Sequence, residues 1–285
     1  MKIFVTGGSG FIGKSFIKEA SKKKNFIFSL TRKKQKNSHS KVKNLFGRLD
    51  DDWSKYLKKA DVLVHLAAAG VQPNKTKRKA IFKTNVTDSF KFIKNAVKAG
   101  CKNFLIISTS SEYGHKSKKI KKIGTKFKRK PKNPYSVSKV KFTDLIKKLS
   151  NKKEFQRCKF RIMRIFPIYG PDEQSYRLYP SLIKAAKKGK NFLIKNPLEY
   201  RDFTESDYAS KILLSACDFK KNSKRFEIYH VSSNNNMTVL KFAQIIWKKL
   251  KAKGELMIKN KKVFLSTHVS DRRSVWKLKK NVTRR

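Results

Sequence analysis

The sequence is poor in cysteine and contains no long hydrophobic run. Its three cysteines, Cys101, Cys158 and Cys217, lie far apart in unrelated contexts, which excludes a disulfide framework and a cysteine-based metal box. No apolar stretch approaches the length of about eighteen residues that a transmembrane helix requires, and no apolar signal segment is recognisable. These absences predict a protein of the reducing cytoplasm with no membrane span and no metal site.

Acidic residues are scarce as well. The 285 residues include 72 lysines and arginines against 19 aspartates and glutamates, so the formal net charge is +53. Such an excess suits nucleic acids, anionic membranes or acidic small molecules. The lysines are nevertheless spread along the whole chain, with residues 116–132 as the densest group. This spread favours a compositional habit over a nucleic-acid-binding face, and we expect no nucleic-acid partner.

The first twenty residues combine a strand, a glycine turn and a helix. An apolar, β-prone run over residues 2–6 leads into Gly7, Gly10 and Gly13, after which apolar residues recur at helical spacing. Glycine permits a tight turn and a close approach of the backbone to a pyrophosphate, and the helix N-terminus attracts the phosphates. The pattern in this context therefore predicts a dinucleotide-binding site.

Strand and helix patterns alternate after this unit. Apolar runs that predict strands stand at residues 25–30, 42–49, 61–66, 103–107 and 159–165. Patterns that predict helices cover residues 78–99 and 134–150. The alternation predicts an α/β fold with a Rossmann, doubly wound parallel sheet. Because the rhythm loosens later, we expect an NAD(P)-binding domain over 1–165 and, interleaved with it, a smaller C-terminal α/β substrate lobe over 166–285.

Basic residues follow the second predicted strand. In dinucleotide folds this position meets the adenine ribose, where an acidic residue binds the free 2′-hydroxyl and a basic residue accommodates a 2′-phosphate. Arg32, with Lys33 behind it, therefore favours NADP, and NAD stays open as the alternative.

A tyrosine and a lysine in the helix that begins at Pro134 carry the predicted chemistry. Tyr135 and Lys139 lie one turn apart, so their side chains share a face. A lysine cation nearby and a cationic nicotinamide ring favour the phenolate, and Tyr135 can then exchange a proton with a substrate oxygen while a hydride moves at the carbon. Thr109, at the end of the preceding strand, can hydrogen-bond the same oxygen. His65 is expected to be structural.

The order of these motifs resembles the extended short-chain dehydrogenase/reductases, and more narrowly their nucleotide-sugar epimerase/dehydratase branch. The motifs that carry the resemblance are Thr6–Gly13, His65–Ala68, Ser108-Thr109, Tyr135-x-x-x-Lys139, Arg164–Pro171 and Arg201-Asp202-Phe203. The resemblance implies an enzyme that binds NAD(P) and a nucleoside-diphosphate sugar. It implies that Thr109, Tyr135 and Lys139 are the catalytic residues.

The resemblance also implies binding residues. The implied cofactor contacts are Gly7, Gly10, Phe11, Ile12, Gly13, Arg32, Leu66, Ala67, Ala68, Ser108, Tyr135, Lys139 and Pro167. The implied substrate contacts are Ser110, Ser111, Arg201 and Arg272, the two arginines being expected at the diphosphate. Arg273 is an equal candidate for the second arginine.

Departures from the family pattern narrow the reaction. In the 4,6-dehydratases an Asp-Glu pair follows the catalytic threonine, but here Ser110 and Ser111 take those positions and Glu112 is one step out of register. A dehydratase is therefore not expected. Arg48 stands where the family usually has an aspartate beside the adenine, and Pro167 stands where many members have an asparagine that contacts the sugar nucleotide.

Two enzymatic interpretations remain, with a third of another class. We favour an NADP-dependent 4-ketoreductase in deoxysugar nucleotide synthesis, because Arg32 suits NADPH. The alternative is a 4-epimerase that keeps tightly bound NAD and returns the hydride to the other face. A non-catalytic RNA-binding member of the superfamily is the third interpretation. By analogy with relatives we also expect a homodimer formed through two helices, one of which bears Tyr135.

Overall fold

The structure, a computed structural model, describes residues 1–32, 39–72, 75–114, 121–259, 265–266 and 269–278. Its strands are β1 (Lys2–Thr6), β2 (Phe26–Thr31), β3 (Val42–Phe46), β4 (Val62–His65), β5 (Asn103–Thr109), β6 (Lys122–Ile123), β7 (Lys159–Ile165), β8 (Ile168–Tyr169), β9 (Phe192–Ile194), β10 (Glu199–Asp202), β11 (Thr204–Glu205), β12 (Phe226–Val231), β13 (Asn236–Thr238), β14 (Leu256–Ile258), β15 (Leu265–Ser266) and β16 (Val269–Ser270). Its α-helices are α1 (Phe11–Lys22), α2 (Ser54–Leu57), α3 (Arg78–Phe82), α4 (Ser89–Lys98), α5 (Pro134–Ser150), α6 (Leu178–Lys187), α7 (Ser206–Ser215) and α8 (Val239–Lys249).

Seven parallel strands form the central sheet, in the spatial order β12-β7-β5-β4-β1-β2-β3. The chain proceeds from β1 outwards to β3 and then returns to the other side of β1 with β4. This reversal is the switch point of a doubly wound sheet, and ligands bind in the crevice at the carboxyl ends of the strands there. The predicted Rossmann α/β fold is confirmed.

Both faces of the sheet are covered, because successive residues of a strand point to opposite faces. Ile3 and Val5 join the core cluster that contains residues of α1 and α7, while Phe4 joins the cluster that contains residues of α4 and α5. All three side chains are fully buried. The near-continuous apolar runs of the strands thus reflect burial on both sides.

The helix predicted over residues 78–99 is interrupted. Between α3 and α4 the chain forms a π-helical segment, Lys83–Asp88. Inside it the buried Asn85 donates to the carbonyl oxygen of Ala69 at 2.9 Å and accepts from the Ala69 amide at 2.7 Å. Ser89 Oγ donates to the Thr84 carbonyl at 2.7 Å, five residues back. Apolar spacing alone predicted one regular helix. It missed the wider turn, because that turn is associated with these polar contacts.

The second half of the chain contributes to two places. Strand β12 pairs with β7 along its whole length, and α7 packs against α1 on the central sheet. A separate core cluster gathers α6, α8 and β9, with Phe203 and Phe242 stacked at a centroid distance of 4.0 Å. The division at residue 165 stays a prediction. Among the described residues, no helix combines the length and apolarity needed to span a bilayer.

Candidate functional site

A cleft of about 1190 Å³ opens at the carboxyl ends of the strands and contains nearly all of the predicted site residues. It runs from the turn after β1, past the ends of β4 and β5, to β10 in the second half of the chain. The predicted residues that line it are Gly7, Gly10, Phe11, Ile12, Gly13, Arg32, Leu66, Ala67, Ala68, Ser108, Thr109, Ser110, Ser111, Tyr135, Lys139, Pro167 and Arg201. Arg272 is the exception.

The glycine turn at one end of the cleft leaves no room for side chains. Gly7 has φ +73°, and a Cβ there would lie 2.7 Å from the amide nitrogen of Ala67. A Cβ on Gly13 would overlap the carbonyl oxygen of Gly7, so this glycine brings α1 against the turn. The first turn of α1 contains no acidic residue, and its N-cap, Gly10, makes no side-chain cap. The amide groups at this helix end can therefore bind a phosphate.

Two arginines lie beyond this turn, at the ends of neighbouring strands. Arg32 follows β2, and Arg48 follows β3 with its Nε 3.2 Å from Asp50 Oδ1. Both arginines are on the cleft, and the side chain of Arg48 is 67% exposed. The aspartate that usually stands beside the adenine is thus replaced by a cation. Lys33 lies outside the described residues, as do 116–120 of the lysine-rich stretch.

The loop after β4 forms the wall of the cleft and is held by Asn85. Besides its two bonds to Ala69, Asn85 donates from Nδ2 to Ser138 Oγ at 3.0 Å. Ser138 precedes Lys139, so one buried amide connects the loop after β4 to the helix that bears the predicted catalytic residues. The sequence analysis missed Asn85. The available signal was a polar residue four positions after Ile81, within the apolar stripe of the predicted helix.

His65 serves the structure of this wall. Its Nδ1 lies 2.9 Å from Thr6 Oγ1 and its Nε2 lies 2.9 Å from Ser89 Oγ, so both ring nitrogens have hydroxyl partners. Burial, and then the charge of Lys139, lowers the pKa of His65 to about 3. The ring is neutral at physiological pH and joins β4 to β1 and α4.

The start of α5 brings Tyr135 to the cleft. Asn133 caps the helix by accepting from the Ser136 amide at 2.8 Å, and Ser136 Oγ accepts from the Asn133 amide at 3.3 Å. Pro134 occupies the first turn, where its missing N–H costs nothing. Tyr135 therefore lies in the first turn, with Lys139 one turn later, and both reach the cleft together with Thr109.

The protonation of the two helix residues is set mainly by burial. Burial raises the pKa of Tyr135 to about 12; the charge of Glu112 adds to this and that of Arg177 opposes it. Burial lowers the pKa of Lys139 to about 8, and the charge of Glu112 opposes that shift. We predicted a phenolate favoured by Lys139. In the chain alone, desolvation outweighs the neighbouring charges and the phenol is protonated at neutral pH. The combined effect of Lys139 and a cationic nicotinamide ring on the phenolate stays a prediction.

The segment after β5 separates its hydroxyls from its carboxylate. Thr109 Oγ1 accepts from the Ser111 amide at 3.1 Å and donates to Ser111 Oγ at 3.2 Å, and Ser110 and Ser111 face the cleft. Glu112 is fully buried and is not among the lining residues. It bonds to Arg164 instead. The positions next to Thr109, the predicted catalytic threonine, therefore offer hydroxyl groups only.

The far end of the cleft carries arginines paired with carboxylates. In the first pair Arg201 Nε donates to Glu199 Oε1 at 2.7 Å. In the second pair Arg177 Nε donates to Glu173 Oε1 at 2.9 Å. All four residues line the cleft. Arg177 is the N-cap residue of α6 and was missed, because its neighbours in the sequence form no recognisable motif.

Arg272 is not among the residues that line the cleft, so the structure gives no support to its predicted role at the diphosphate. It is exposed in the 3-10 turn Arg272–Ser274, which Asp271 caps by accepting from the Arg273 amide at 2.8 Å. Val275 forms a bridge to His230, so the segment is tied to the edge strand β12. The side chain of Arg273, the other candidate, is 91% exposed and pairs with Asp271.

The described residues contain no cluster of three or more histidine, cysteine or acidic side chains that could hold a metal ion. The three cysteines are buried free thiols at separate places. The groups that line the cleft are a phenol, an ammonium group, hydroxyls, arginines and the carboxylates paired with them, around the glycine turn.

The chain is similar to proteins that are named for different reactions. It is 24% identical over 262 residues to the dTDP-D-glucose 4,6-dehydratase of Bos taurus, covering 85% of this chain and 71% of that protein. It is 29% identical over 212 residues to the GDP-6-deoxy-D-talose 4-dehydrogenase of Aggregatibacter actinomycetemcomitans, covering 71% and 65%. The crystal structure of the Bacillus cereus UDP-glucuronic acid 4-epimerase in complex with NAD matches with a TM-score of 0.79 at 23% identity, over 95% of this chain and 90% of that chain.

The structural match shows the fold, and the family follows from the sequence. Residues 3–232 match the family model described as the NAD dependent epimerase/dehydratase family, which is well over half of the chain. The resemblance stated from the motifs is thereby confirmed, and the chain belongs to the NAD dependent epimerase/dehydratase family.

Proposed function

We propose that the chain is an NADPH-dependent reductase that converts the 4-keto group of a nucleoside-diphosphate sugar to a hydroxyl, in the synthesis of a deoxysugar nucleotide. The observation that carries the proposal is that Thr109, Tyr135 and Lys139 line one cleft with the glycine turn and Arg201. A hydroxyl, a phenol and an ammonium group around one pocket can bind a carbonyl oxygen and deliver a proton to it.

The residues present fit the dinucleotide. The absence of room for a Cβ at Gly7 and Gly13, and the open amide groups at the start of α1, suit a pyrophosphate lying close to the backbone. When bound, the reduced nicotinamide supplies a hydride. Tyr135 Oη gives its proton to the substrate oxygen, Thr109 Oγ1 donates a hydrogen bond to that oxygen, and the Lys139 charge stabilises the phenolate that results.

The protonation state of Tyr135 supports reduction. A phenol with a pKa of about 12 is protonated at neutral pH, which is the form that donates a proton. Lys139, with a pKa of about 8, is mostly charged at the same pH. The pair is therefore in the state that reduction of a ketone requires, whereas oxidation of an alcohol requires the phenolate.

Two cations at the ribose end support NADPH. Arg32 takes the position where a basic residue accommodates a 2′-phosphate. Arg48 adds a second guanidinium group on the same part of the cleft, although Asp50 pairs with it. Planar arginine side chains bind phosphate oxygens through two parallel hydrogen bonds.

One relative and the residues of the cleft support a reaction at C4 without water loss. The talose relative bears the name of a 4-dehydrogenase, which is the same oxidation–reduction class. The dehydratase relatives are a weaker guide to the reaction, because Ser110 and Ser111 face the cleft where an acid and a base would be needed. A hydroxyl with its ordinary high pKa does not serve as either.

A 4-epimerase is the second candidate, and the structural similarity to an epimerase in complex with NAD favours it. Such an enzyme would use the same three residues but keep its NAD through the reaction. The two candidates differ in the fate of the cofactor, which is released after each turnover by a reductase and retained by an epimerase.

We also infer a homodimer and a cytoplasmic location. The support for the dimer is that α4 and α5 pack against each other on one side of the sheet and can present a joint outer face. The support for the location is that all three cysteines are free thiols. A single monomeric species in sedimentation would contradict the dimer.

The decisive experiment offers 4-keto and 4-hydroxy sugar nucleotides to the purified protein with NADPH or NADH. We expect NADPH to be consumed with a 4-keto sugar nucleotide, and the loss of the absorbance of the reduced nicotinamide measures this. The same preparation is dialysed, denatured and assayed for released cofactor. NAD(H) that survives dialysis would contradict the reductase and support the epimerase.

A further inference from the structure

A buried ion pair that the proposed mechanism does not use lies beneath the cleft. Glu112 Oε2 accepts from Arg164 Nε at 3.0 Å and lies 2.9 Å from Arg164 Nη2, and both side chains are almost fully buried. Arg129 Nη1 adds a longer contact of 3.6 Å to the same oxygen. Buried ion pairs contribute little net stability compared with apolar residues, so a function other than stability is worth seeking here.

The other oxygen of Glu112 connects two elements that carry catalytic residues. Ser108 Oγ donates to Glu112 Oε1, and Thr143 Oγ1 donates to the same atom at 3.3 Å. Ser108 directly precedes Thr109 at the end of β5. Thr143 lies one turn after Lys139, on the same face of α5. One carboxylate therefore joins the strand end with Thr109 to the helix with Lys139.

We propose that Glu112 is a positioning residue: from beneath the cleft it ties the end of β5 to α5 and places a negative charge under Tyr135 and Lys139. The inference rests on the proposed function, because the tie matters only if those side chains react. Glu112 does not touch the substrate or the cofactor itself, since its side chain is fully buried outside the lining of the cleft.

The charged groups around this site determine the sign of the effect. Glu112 is faced by Arg164 from β7 and by Arg129 from the loop between β6 and α5. Lys139 is close enough to His65 on β4 to affect its pKa, and Arg177 before α6 acts on Tyr135. His65 is neutral and adds no charge here. The negative charge of Glu112 raises the pKa of Lys139 and the pKa of Tyr135.

The test replaces the charge and keeps the shape. In Glu112→Gln the side-chain oxygen can still accept from Ser108 and Thr143, but the negative charge is lost. Without that charge Lys139 loses its proton at lower pH, because the charge of Glu112 raises the pKa of Lys139. We therefore expect the alkaline limb of kcat to lie about one pH unit lower in Glu112→Gln than in the wild type. A limb that stays in place would overturn the role of the charge.

A matched control removes a comparable ion pair elsewhere. Arg161 Nη2 lies 2.9 Å from Glu227 Oε2, and the Arg161 side chain is as buried as that of Arg164. This pair joins β7 to β12 and does not line the cleft. Glu227→Gln should lower thermal stability like Glu112→Gln and leave the alkaline limb unmoved. An equal shift in both variants would mean that the limb reports loosened packing.

Two further measurements keep the proposal testable if a variant does not fold or no substrate is found. Thr143→Val keeps the ion pair and removes only the bond from Glu112 to α5. We expect kcat to fall about fivefold while the alkaline limb stays in place, and an unchanged kcat would refute the tie.

Without any turnover the proposed function fails, but the Tyr135 pKa is still measurable as tyrosinate absorbance against a Tyr135→Phe reference. It should fall by about one unit in Glu112→Gln, and an unchanged value would overturn the inference.

Discussion

The two ends of the cleft are formed by different chemical groups. At the end proposed to bind the cofactor, which contains the Gly7–Gly13 turn and is called the cofactor end below, backbone and small residues meet, as where Gly7 approaches Ala67 so closely that a Cβ would lie 2.7 Å from its amide nitrogen. At the end proposed to bind the substrate, which contains Arg177 and Arg201 and is called the substrate end below, long charged side chains are held by carboxylates, as Arg201 is by Glu199 at 2.7 Å. The first end is fixed by close backbone packing between the turn after β1 and the loop after β4, and the second by charge pairs between residues two and four positions apart in the sequence.

This difference implies different sensitivities. A site made of backbone depends on side-chain volume, because an added methyl group has no space. A site in which partly exposed arginines pair with buried carboxylates depends on pH and on the loss of the arginine, because the buried carboxylate would then be unpaired in a low-dielectric surrounding. The predictions below test this contrast, beginning where the two ends meet.

The largest effect is expected at Tyr135. In Tyr135→Phe the proton donor is absent, and general acid catalysis contributes about 10²–10⁴-fold, so kcat should fall about a thousandfold. NADPH binding, measured by fluorescence titration, should stay nearly unchanged because the glycine turn is untouched. Tyr208→Phe, at an exposed tyrosine on α7 away from the cleft, is the control. Retention of most of the activity would mean that another group moves the proton.

The same contrast explains which parts were predictable from the sequence. The strand–turn–helix unit and the Tyr135–Lys139 pair are local patterns with spacings set by backbone geometry, and both lie on the cleft. The position of Arg272 depends on how its segment docks beside β12, which no local pattern specifies. Asn85 was missed because its importance lies in contacts to Ala69 and Ser138, which are 16 and 53 residues away.

The next effect concerns stability at the substrate end. Burial raises the pKa of Asp202 to about 6, although bonds from Ser232 and Thr204 lower it. This lies above the unfolded value near 4, so the native state binds more protons between about pH 4 and 6 and the free energy of unfolding falls as pH rises. Asp202→Asn cannot ionise. Its stability relative to the wild type should therefore improve by up to about 3 kcal/mol between pH 4 and 7.

Urea unfolding at the two pH values measures this difference. Asp52→Asn is the matched control, because Asp52 is exposed and bonds from Ser54 lower its pKa, so ionisation favours its native state. It should show no gain as pH rises. A constant difference between Asp202→Asn and the wild type would mean that Asp202 binds the same number of protons in the native and unfolded states, so that its pKa is not raised by folding.

A smaller effect distinguishes the two arginines proposed for the diphosphate. Arg201→Lys keeps a cation beside Glu199 but loses the planar fork, so KM for the sugar nucleotide should rise about thirtyfold, in line with the value of hydrogen bonds to charged groups. KM for the cofactor should not change. Arg272→Lys, in the exposed turn, should behave as the wild type in both constants. Equal effects of the two substitutions would restore Arg272 to the site.

The smallest effect is expected at the rim of the cofactor end, the part of that end that depends on charge. Arg32→Asp places a carboxylate where the 2′-phosphate of NADP would lie, so the ratio of kcat/KM for NADPH to that for NADH should fall at least about tenfold. Arg225→Asp makes the same change of net charge at an exposed residue before β12, away from the cleft. It should leave the ratio unchanged, because exposed charges beyond the Debye length are screened. If Arg32→Asp also leaves it unchanged, Arg32 is a surface cation and the cofactor end is specified by its backbone alone.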